Sequence, residues 1–179
     1  RSLMNLPLSP MATKTIDIVI PVYNAPGDVA ACVDSVLKHT TGGYRLILID
    51  DGSPDPAIRE YFAELEGRAL PQVVLLRNEV NLGFTRTANR GMLHGHDVRL
   101  DVVLLNSDTV VTAGWLDALR RCAASSPHIG TITPFSNNAE ICSFPRFCVD
   151  NEWPPDKDPE PVRAALAEAA VPSYPDIPT

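Results

Sequence analysis

Short apolar runs of strand length alternate with helical patterns along the chain, and this alternation restricts the fold more than any other feature. Five runs have strand length: Ile16–Val22, Tyr44–Ile49, Gln72–Leu76, Val102–Leu105 and Ile129–Thr133. Apolar residues in the intervening segments recur at spacings of three and four, as they do on one face of a helix. Strands that alternate with helices predict an α/β fold with a mainly parallel sheet and helices on both faces.

Four helices are predicted from these stripes. Their apolar positions are Val29, Val33, Val36 and Leu37; Ile58, Phe62 and Leu65 within Pro56–Glu66; Phe84, Ala88 and Met92; and Trp115, Leu116, Leu119 and Cys122. The run Val102–Leu105 is apolar without interruption, which is typical of a parallel strand buried on both faces.

Proline content divides the chain. Residues 1–14 are interpreted as a linker or appended residues, and residues 15–145 as the folded domain. The last 35 residues hold eight of the 17 prolines, so residues 146–179 are expected to form an irregular extension that wraps or trails without long helices. Because the chain begins with Arg1, we expect it to come from a longer polypeptide.

Charge and cysteine usage exclude several classes of function. The net charge of −7 and the lack of clustered Lys and Arg argue against a nucleic-acid partner. The four cysteines form no CxxC pair, which favours reduced thiols in a cytoplasmic protein. No apolar run approaches the roughly 20 residues of a membrane-spanning helix, which leaves peripheral attachment to the inner face of a membrane as an open alternative.

Polar clusters follow four of the predicted strands. They are Tyr23-Asn24, Asp50-Asp51, Arg77-Asn78 and Asn106-Ser107-Asp108. Ligands of open parallel sheets bind outside the carboxyl ends of the strands, so these clusters should converge on one crevice.

The sequence Asp50-Asp51-Gly52-Ser53 is open to two interpretations. Asp-Gly marks tight turns, and Ser53 or Asp55 before Pro56 could cap the next helix. Alternatively, adjacent carboxylates at a strand end require donors, which the imide N–H of a nucleobase and ribose hydroxyls would supply.

The segment Asn81–Arg90 is open in the same way. Its Gly83 and Arg86 precede or begin a helix, where a diphosphate could bind near Arg86 or Arg90; the alternative is a turn glycine with solvated arginines. No GxGxxG follows the first strand and no GxxxxGK[ST] occurs, which disfavours a dinucleotide dehydrogenase and a P-loop NTPase. His94-Gly95-His96-Asp97 is interpreted as a solvated turn at a helix end rather than a metal cluster.

Taken together, four motifs resemble the nucleotide-sugar half of a family 2 glycosyltransferase with the Rossmann-like GT-A fold. They are IVIPVYN at Ile18–Asn24, LIDDGS at Leu48–Ser53, NLGFTRTANRG at Asn81–Gly91 and LLNSDTVVTAGWLDAL at Leu104–Leu119. A fifth segment, TPFSNNAEICSFPR at Thr133–Arg146, resembles the rhamnosyltransferase-like branch of that family.

The resemblance implies a nucleotide-binding role for particular residues, with a UDP- or dTDP-sugar as donor and a glycan as acceptor. The residues are Pro21, Val22, Tyr23 and Asn24 beside the base and ribose; Asp50 and Asp51 at the uracil or thymine edge; Asn81, Gly83, Phe84, Arg86 and Asn89 around the nucleotide; and Asn106, Ser107 and Asp108 at the diphosphate. Asp108 matches the last acid of the family's DxD motif, which holds Mn²⁺ or Mg²⁺ on the donor diphosphate.

The chain departs from the family pattern in two places. Asn106 and Ser107 stand where other members carry carboxylates, so Asp108 is expected to bind metal weakly without nucleotide. The acceptor half and the catalytic base of an inverting enzyme are expected beyond Thr179, because none of Asp117, Glu140, Asp150 and Glu152 lies in the context of that base.

Two alternatives to a glycosyltransferase follow. The first is a non-catalytic module that keeps the GT-A fold for scaffolding or for nucleotide-sugar binding. The second is a sugar-phosphate nucleotidylyltransferase, which is disfavoured because PVYNAPGD lacks the glycine-rich loop and arginine expected after the first strand.

Overall fold

A computed structural model describes residues 15–94, 101–154, 157–169 and 174–175 of the chain. The elements are β1 Ile16–Val22, α1 Pro26–His39, β2 Tyr44–Asp50, α2 Pro56–Gly67, β3 Val73–Arg77, α3 Phe84–Met92, β4 Asp101–Leu104, α4 Trp115–Ser125, a 3₁₀ turn Glu140–Cys142 and α5 Glu160–Ala169. The chain forms two compact units, the first ending at Val111 and the second beginning at Thr112.

The first unit is built on a four-stranded parallel sheet in the order β3-β2-β1-β4. In the register of the central pair, Ile18 lies opposite Leu46 and Val22 opposite Asp50. The α/β class with a parallel sheet is therefore confirmed. The order also brings the ends of β1 and β2 together beside the end of β4.

The core is centred on the two middle strands, β1 and β2. Every residue of β1 is buried, as are the last five of β2. Side chains alternate between the faces of a strand, and on one face Val19, Ile47 and Ile49 form a fully buried cluster. Helix α3 approaches this cluster closely at Gly91, where a Cβ atom would lie 2.4 Å from Cγ1 of Val19.

Strand β4 differs from the prediction that both its faces are buried. Val102 and Leu104 are 38% and 42% exposed, and within the described ranges β4 pairs with β1 alone. An edge strand has a neighbour on one side, so an uninterrupted apolar run does not guarantee burial here.

Two further elements differ from the predictions. Residues 129–133 form no strand; Gly130 weakens a strand, and Pro134, directly after the run, cannot donate a hydrogen bond to a ladder. The stripe predicted for α3 is also displaced, because Phe84 and Met92 are exposed while Thr87, Ala88 and Gly91 are buried.

The second unit contains a helix where an irregular extension was predicted. Helix α5 runs from Glu160 to Ala169, with Pro161 in its first turn and an alanine-rich sequence after it. Proline is tolerated in the first turn of a helix, and alanine is the strongest helix former. A count of prolines without regard to their positions therefore missed this helix. The Oε1 atom of Glu160 accepts a hydrogen bond from the Ala113 N–H at 2.6 Å. The boundary at residue 145 stays a prediction.

The motif TPFSNN leads into a loop of the second unit that an asparagine pair closes. The Asn151 N–H donates to the Asn137 carbonyl at 2.9 Å, and Nδ2 of Asn137 donates to the Asn151 carbonyl at 3.2 Å. Phe135, just before this loop, and Phe144 within it have ring centroids 6.4 Å apart, and both side chains are exposed.

Within the described ranges, no helix has the length and apolar character needed to cross a membrane.

Candidate functional site

A cleft of about 400 Å³ opens at the carboxyl ends of the strands in the first unit. Its lining residues are Pro21, Val22, Tyr23, Asp51, Asn81, Gly83, Phe84, Asn106, Ser107 and Asp108. All ten were predicted from the sequence as nucleotide contacts, and the structure brings them to one place. Asn24, Asp50, Arg86 and Asn89, which were predicted with them, do not line it.

The end of β1 supplies one wall of the cleft and is tied to the loop after β2. Pro21 and Val22 are buried, whereas Tyr23 is 48% exposed. The Asn24 N–H donates to Oγ of Ser53 at 2.9 Å, and Oδ1 of Asn24 accepts from the Asp55 N–H at 3.3 Å. Asn24 therefore joins two loops rather than facing the cleft.

The two aspartates that end β2 have different surroundings. Oδ1 of Asp50 accepts from the Ser53 N–H at 2.8 Å, and Oδ2 lies 3.3 Å from Nε of Arg77. Asp50 is buried and structural in these contacts. Asp55 caps α2 by accepting from the Ala57 N–H at 3.0 Å, so the turn-and-cap interpretation holds for part of this segment.

Asp51 is the carboxylate of the pair that reaches the cleft. Its Oδ1 accepts from Nδ2 of Asn78 at 2.6 Å and from the Leu82 N–H at 2.8 Å. Its Oδ2 accepts from the Gly83 N–H at 2.9 Å. Asp51 thus fastens the loop before α3 to the end of β2.

These donors also decide the ionisation of Asp51. Burial raises the pKa of its carboxyl, but hydrogen bonds from the Leu82 N–H, Asn78, the Thr87 hydroxyl and the Gly83 N–H outweigh burial and hold the pKa below its ordinary value of 3.8. Hydrogen bonds to the charged form stabilise that form. At neutral pH Asp51 is therefore an acceptor without a proton to donate.

Two backbone donors at the N-terminal end of α3 are already bound by the protein itself. The Leu82 and Gly83 N–H groups, which precede the helix, already bind the Asp51 carboxylate. Arg90 donates to the Arg77 carbonyl at 2.7 Å and to Oδ1 of Asn78. The Asp51 carboxylate therefore takes two of the backbone donors at this end of α3, and the diphosphate position and the nucleotide roles of Arg86 and Asn89, both exposed on α3, stay predictions.

The loop after β4 brings oxygen atoms to the cleft. The Leu105 N–H donates to the Val19 carbonyl at 2.9 Å, and the Thr109 N–H closes a turn on the Asn106 carbonyl at 3.2 Å. Asp108 is exposed on this turn. Its carboxylate, with amide and hydroxyl oxygens from Asn106 and Ser107 in the same lining, provides the hard oxygen ligands that Mg²⁺ and Mn²⁺ accept.

This donor set fits a metal held jointly with a ligand rather than by the protein alone. Within the described ranges, no three His, Cys, Asp or Glu side chains come close enough to hold a metal ion. Mg²⁺ commonly keeps several waters and binds one or two carboxylates plus substrate phosphates, and a single carboxylate in an open cleft is compatible with that arrangement.

The histidine segment plays no part in this cleft as far as it is described. The His94 N–H donates to the Gly91 carbonyl at 3.0 Å, and the His94 carbonyl accepts from Arg45 at 3.3 Å. These are backbone contacts that end α3. Gly95, His96 and Asp97 lie outside the described residues.

Some residues that support the site were not singled out from the sequence. Thr87 accepts from Nδ2 of Asn78 at 2.9 Å and is fully buried, and Ser35 and Cys32 of α1 contact the loop after β4. Asn78 could be noticed because it follows a strand. A buried threonine, serine or cysteine on a helix carries no comparable signal.

Solved structures of glycosyltransferases share this fold. The crystal structure of Staphylococcus aureus TarS 1–349 superposes with a TM-score of 0.52 and 16% identity, covering 70% of this chain and 39% of that one. The crystal structure of GalNAc-T7 with UDP, GalNAc and Mn²⁺ superposes with a TM-score of 0.52 and 24% identity, covering 59% of this chain and 20% of that one. The likeness establishes the GT-A fold.

Sequence comparison gives the family. The uncharacterized glycosyltransferase YibD of Escherichia coli K12 is 34% identical over 83 residues, which are 45% of this chain and 23% of that protein. The chain therefore spans about a quarter of the length of this relative. The sequence profile of glycosyl transferase family 2 matches residues 17–138. With more than half of its residues in that match, the chain belongs to glycosyl transferase family 2.

Proposed function

We propose that this chain is the donor-binding part of a glycosyltransferase and that its cleft takes a nucleoside-diphosphate sugar together with a divalent metal. The observation that carries the proposal is the pairing, in one cleft, of the ionised, acceptor-only Asp51 with the exposed carboxylate of Asp108. The first suits a donor group on a base, and the second suits the metal of a diphosphate. GalNAc-T7, a protein of the same fold, was crystallised with UDP and Mn²⁺.

Asp51 is suited to a base that presents an imide N–H. A carboxylate has about four acceptor positions; within the protein Oδ1 accepts from Asn78 and the Leu82 N–H, Oδ2 accepts from the Gly83 N–H, and the Thr87 hydroxyl also donates to this carboxylate. Because the ionised carboxylate has no proton of its own, a ligand group placed against it in the cleft has to be a donor. Uracil and thymine carry N3–H on this edge, whereas N3 of cytosine is an acceptor, so UDP- and dTDP-sugars are the proposed donors. Tyr23 offers an exposed ring beside Asp51 in the lining.

Asp108 would hold the metal at the diphosphate, with Asn106 and Ser107 beside it. A bound Mn²⁺ or Mg²⁺ would neutralise the charge that grows on the leaving diphosphate. Asp108 would thereby place the metal and the diphosphate at the loop after β4. Asp51 would orient the base at the end of β2. A defined donor orientation lowers the entropic cost of attack by an acceptor hydroxyl.

The acceptor is proposed to be a glycan, and transfer is proposed to invert the anomeric centre, with the base and acceptor site supplied by further polypeptide. The segment Thr133–Arg146 supports a rhamnosyltransferase-like branch through its motif TPFSNNAEICSFPR. A second candidate, a non-catalytic nucleotide-sugar-binding module, is favoured by the single carboxylate of the metal loop. Sugar transfer by a polypeptide extended beyond Thr179, abolished by Asp108→Ala, would exclude that candidate.

Nucleotide titration tests the proposed donor class. UDP and dTDP should bind the chain in the presence of Mn²⁺ with similar affinity, because both present an imide N–H to Asp51. CDP should bind about tenfold more weakly, the factor that corresponds to one lost hydrogen bond of about 1.4 kcal/mol. Equal binding of CDP and UDP, or no binding of either UDP or dTDP, would contradict the proposal.

A further inference from the structure

We propose that Cys32 and Ser35, two buried residues of α1, are positioning residues that fix the metal loop, defined as residues 106–111, and through it the carboxylate of Asp108. This inference rests on the proposed function, because it assigns a task to residues beneath the proposed metal position. Neither residue lines the cleft, so any effect on ligand binding must pass through the loop.

Ser35 anchors the C-terminal end of the metal loop. Its Oγ accepts a hydrogen bond from the Val111 N–H at 3.0 Å and donates to the Cys32 carbonyl at 2.7 Å. Ser35 is 7% exposed. The second bond fixes the rotamer of the hydroxyl, so its acceptor position is held toward Val111 rather than free to rotate.

Cys32 anchors the N-terminal end of the same loop. Its thiol donates to the Asn106 carbonyl at 3.5 Å, which is within the range for a sulfur donor. The backbone of Thr109, in the same loop, also hydrogen-bonds to this sulfur. The Cys32 sulfur thus meets the loop backbone at Asn106 and at Thr109, on either side of Asp108.

The two anchors lie three residues apart on α1, on the same helical face. One turn of a helix with fully buried Val29, Val33 and Val36 thus holds both ends of a six-residue loop. Asp108 lies between the anchors and is itself exposed. Since the loop offers one carboxylate, the backbone that carries Asp108 has to be held in place for a metal–diphosphate contact to form with defined geometry.

Ser35→Ala removes the acceptor for the Val111 N–H. It tests whether Ser35 positions the metal loop or only stabilises the fold. The amide of Val111 should lose its protection from hydrogen exchange, a readout that does not depend on ligand. The gain in UDP affinity that Mn²⁺ produces should fall about fivefold to tenfold, the loss expected for one buried hydrogen bond. Uridine, which lacks the diphosphate, should bind as tightly as it binds the unchanged chain.

Two controls match the substitution. Ser125 of α4 makes the same bond as Ser35, donating from Oγ to the Cys122 carbonyl at 2.7 Å, so Ser125→Ala removes an equivalent helical hydrogen bond without touching the loop. Val33→Ala destabilises the buried face of α1 between the two anchors. Neither control should change the Mn²⁺-dependent gain. For Cys32, the alanine variant should weaken the gain and the serine variant, which keeps a donor, should preserve it.

Each outcome decides the inference. An unchanged Mn²⁺-dependent gain in Ser35→Ala, or a Val111 amide that stays protected, would overturn it. An equal loss in Val33→Ala would overturn it as well, because the effect would then be one of stability. If Mn²⁺ does not raise the UDP affinity of the unchanged chain, the proposed function itself is contradicted. That result is distinguishable from failure of the present inference, which would appear only in the variants.

Discussion

At the scale of single residues, Asp51 combines two tasks that are usually separate. Its carboxylate fastens the loop before α3 through the Leu82 and Gly83 N–H groups, and the same carboxylate lines the cleft. A substitution of Asp51 that is meant to change ligand binding should therefore also change the free energy of unfolding. Asn78 sets this arrangement, because its amide donates to Asp51 while its Oδ1 accepts from Arg90.

Asp51→Asn should lower the free energy of unfolding by about 1–3 kcal/mol at pH 7, because an amide NH₂ would face a backbone donor in a buried site. The pKa of Asp51 is depressed in the fold, so its contribution is present above about pH 4 and is lost as pH falls through the folded pKa. The difference between parent and variant should therefore shrink on acidification. Urea unfolding between pH 7 and about pH 2 measures it.

Asp55→Asn is the matched control for this substitution. Asp55 caps α2 through the Ala57 N–H, and asparagine caps a helix as well as aspartate does. Its stability should stay within about 0.5 kcal/mol of the parent. A loss at Asp55 equal to that at Asp51 would contradict the special role of the Asp51 contacts.

Tyr61→Phe should leave stability unchanged or raise it by up to about 1 kcal/mol. The Tyr61 hydroxyl is buried and finds no hydrogen-bond partner within the described ranges, and an unsatisfied buried polar group is unfavourable. Thermal unfolding of the variant measures the change. A clear fall in melting temperature would show that the hydroxyl makes a contact that stabilises the fold.

At the scale of elements, the close approach of α3 to the sheet sets the position of the loop that Asp51 holds. A Cβ atom at Gly91 would lie 2.4 Å from Val19 and 2.7 Å from Ile49. Gly91→Ala should therefore cost about 1–3 kcal/mol of unfolding free energy through overpacking, measured by chemical denaturation.

Gly27→Ala is the control for this effect within another helix. A Cβ atom there would meet nothing within 4 Å, and alanine is the better helix former, so the variant should be unchanged or more stable by up to about 1 kcal/mol. If both glycines respond alike, close packing at Gly91 is not the cause.

The elements that could be predicted are those with local signals. The stripe of α1 and the β-branched run of β1 are visible in the residues themselves. Burial of β4 was mistaken because it depends on a neighbouring strand, and α5 was missed because a proline in the first turn looks like a helix breaker in a composition count. Residues 129–133 have strand-like composition, yet they find no ladder within the described ranges.

At the scale of the whole molecule, the cleft follows from topology more than from any one motif. A parallel sheet in the order β3-β2-β1-β4 brings together loops that are separated by up to about 85 residues in sequence, which is why strand-end clusters predicted the lining residues. It was harder to predict which residues at the strand ends would not line the cleft. Asp50 and Asn24 carry the right chemistry at the right strand ends, but Arg77 and Asp55 engage them inside the fold.

The most direct measurement is calorimetric titration of UDP into the parent chain and into Asp108→Asn, each with and without Mn²⁺. In the parent, Mn²⁺ should raise the affinity for UDP by at least about tenfold, whereas Mn²⁺ alone should bind weakly because the loop offers a single carboxylate. In Asp108→Asn the gain should disappear, while uridine binding stays unchanged. A Mn²⁺-dependent gain that survives in Asp108→Asn would contradict a metal-assisted diphosphate site at this loop.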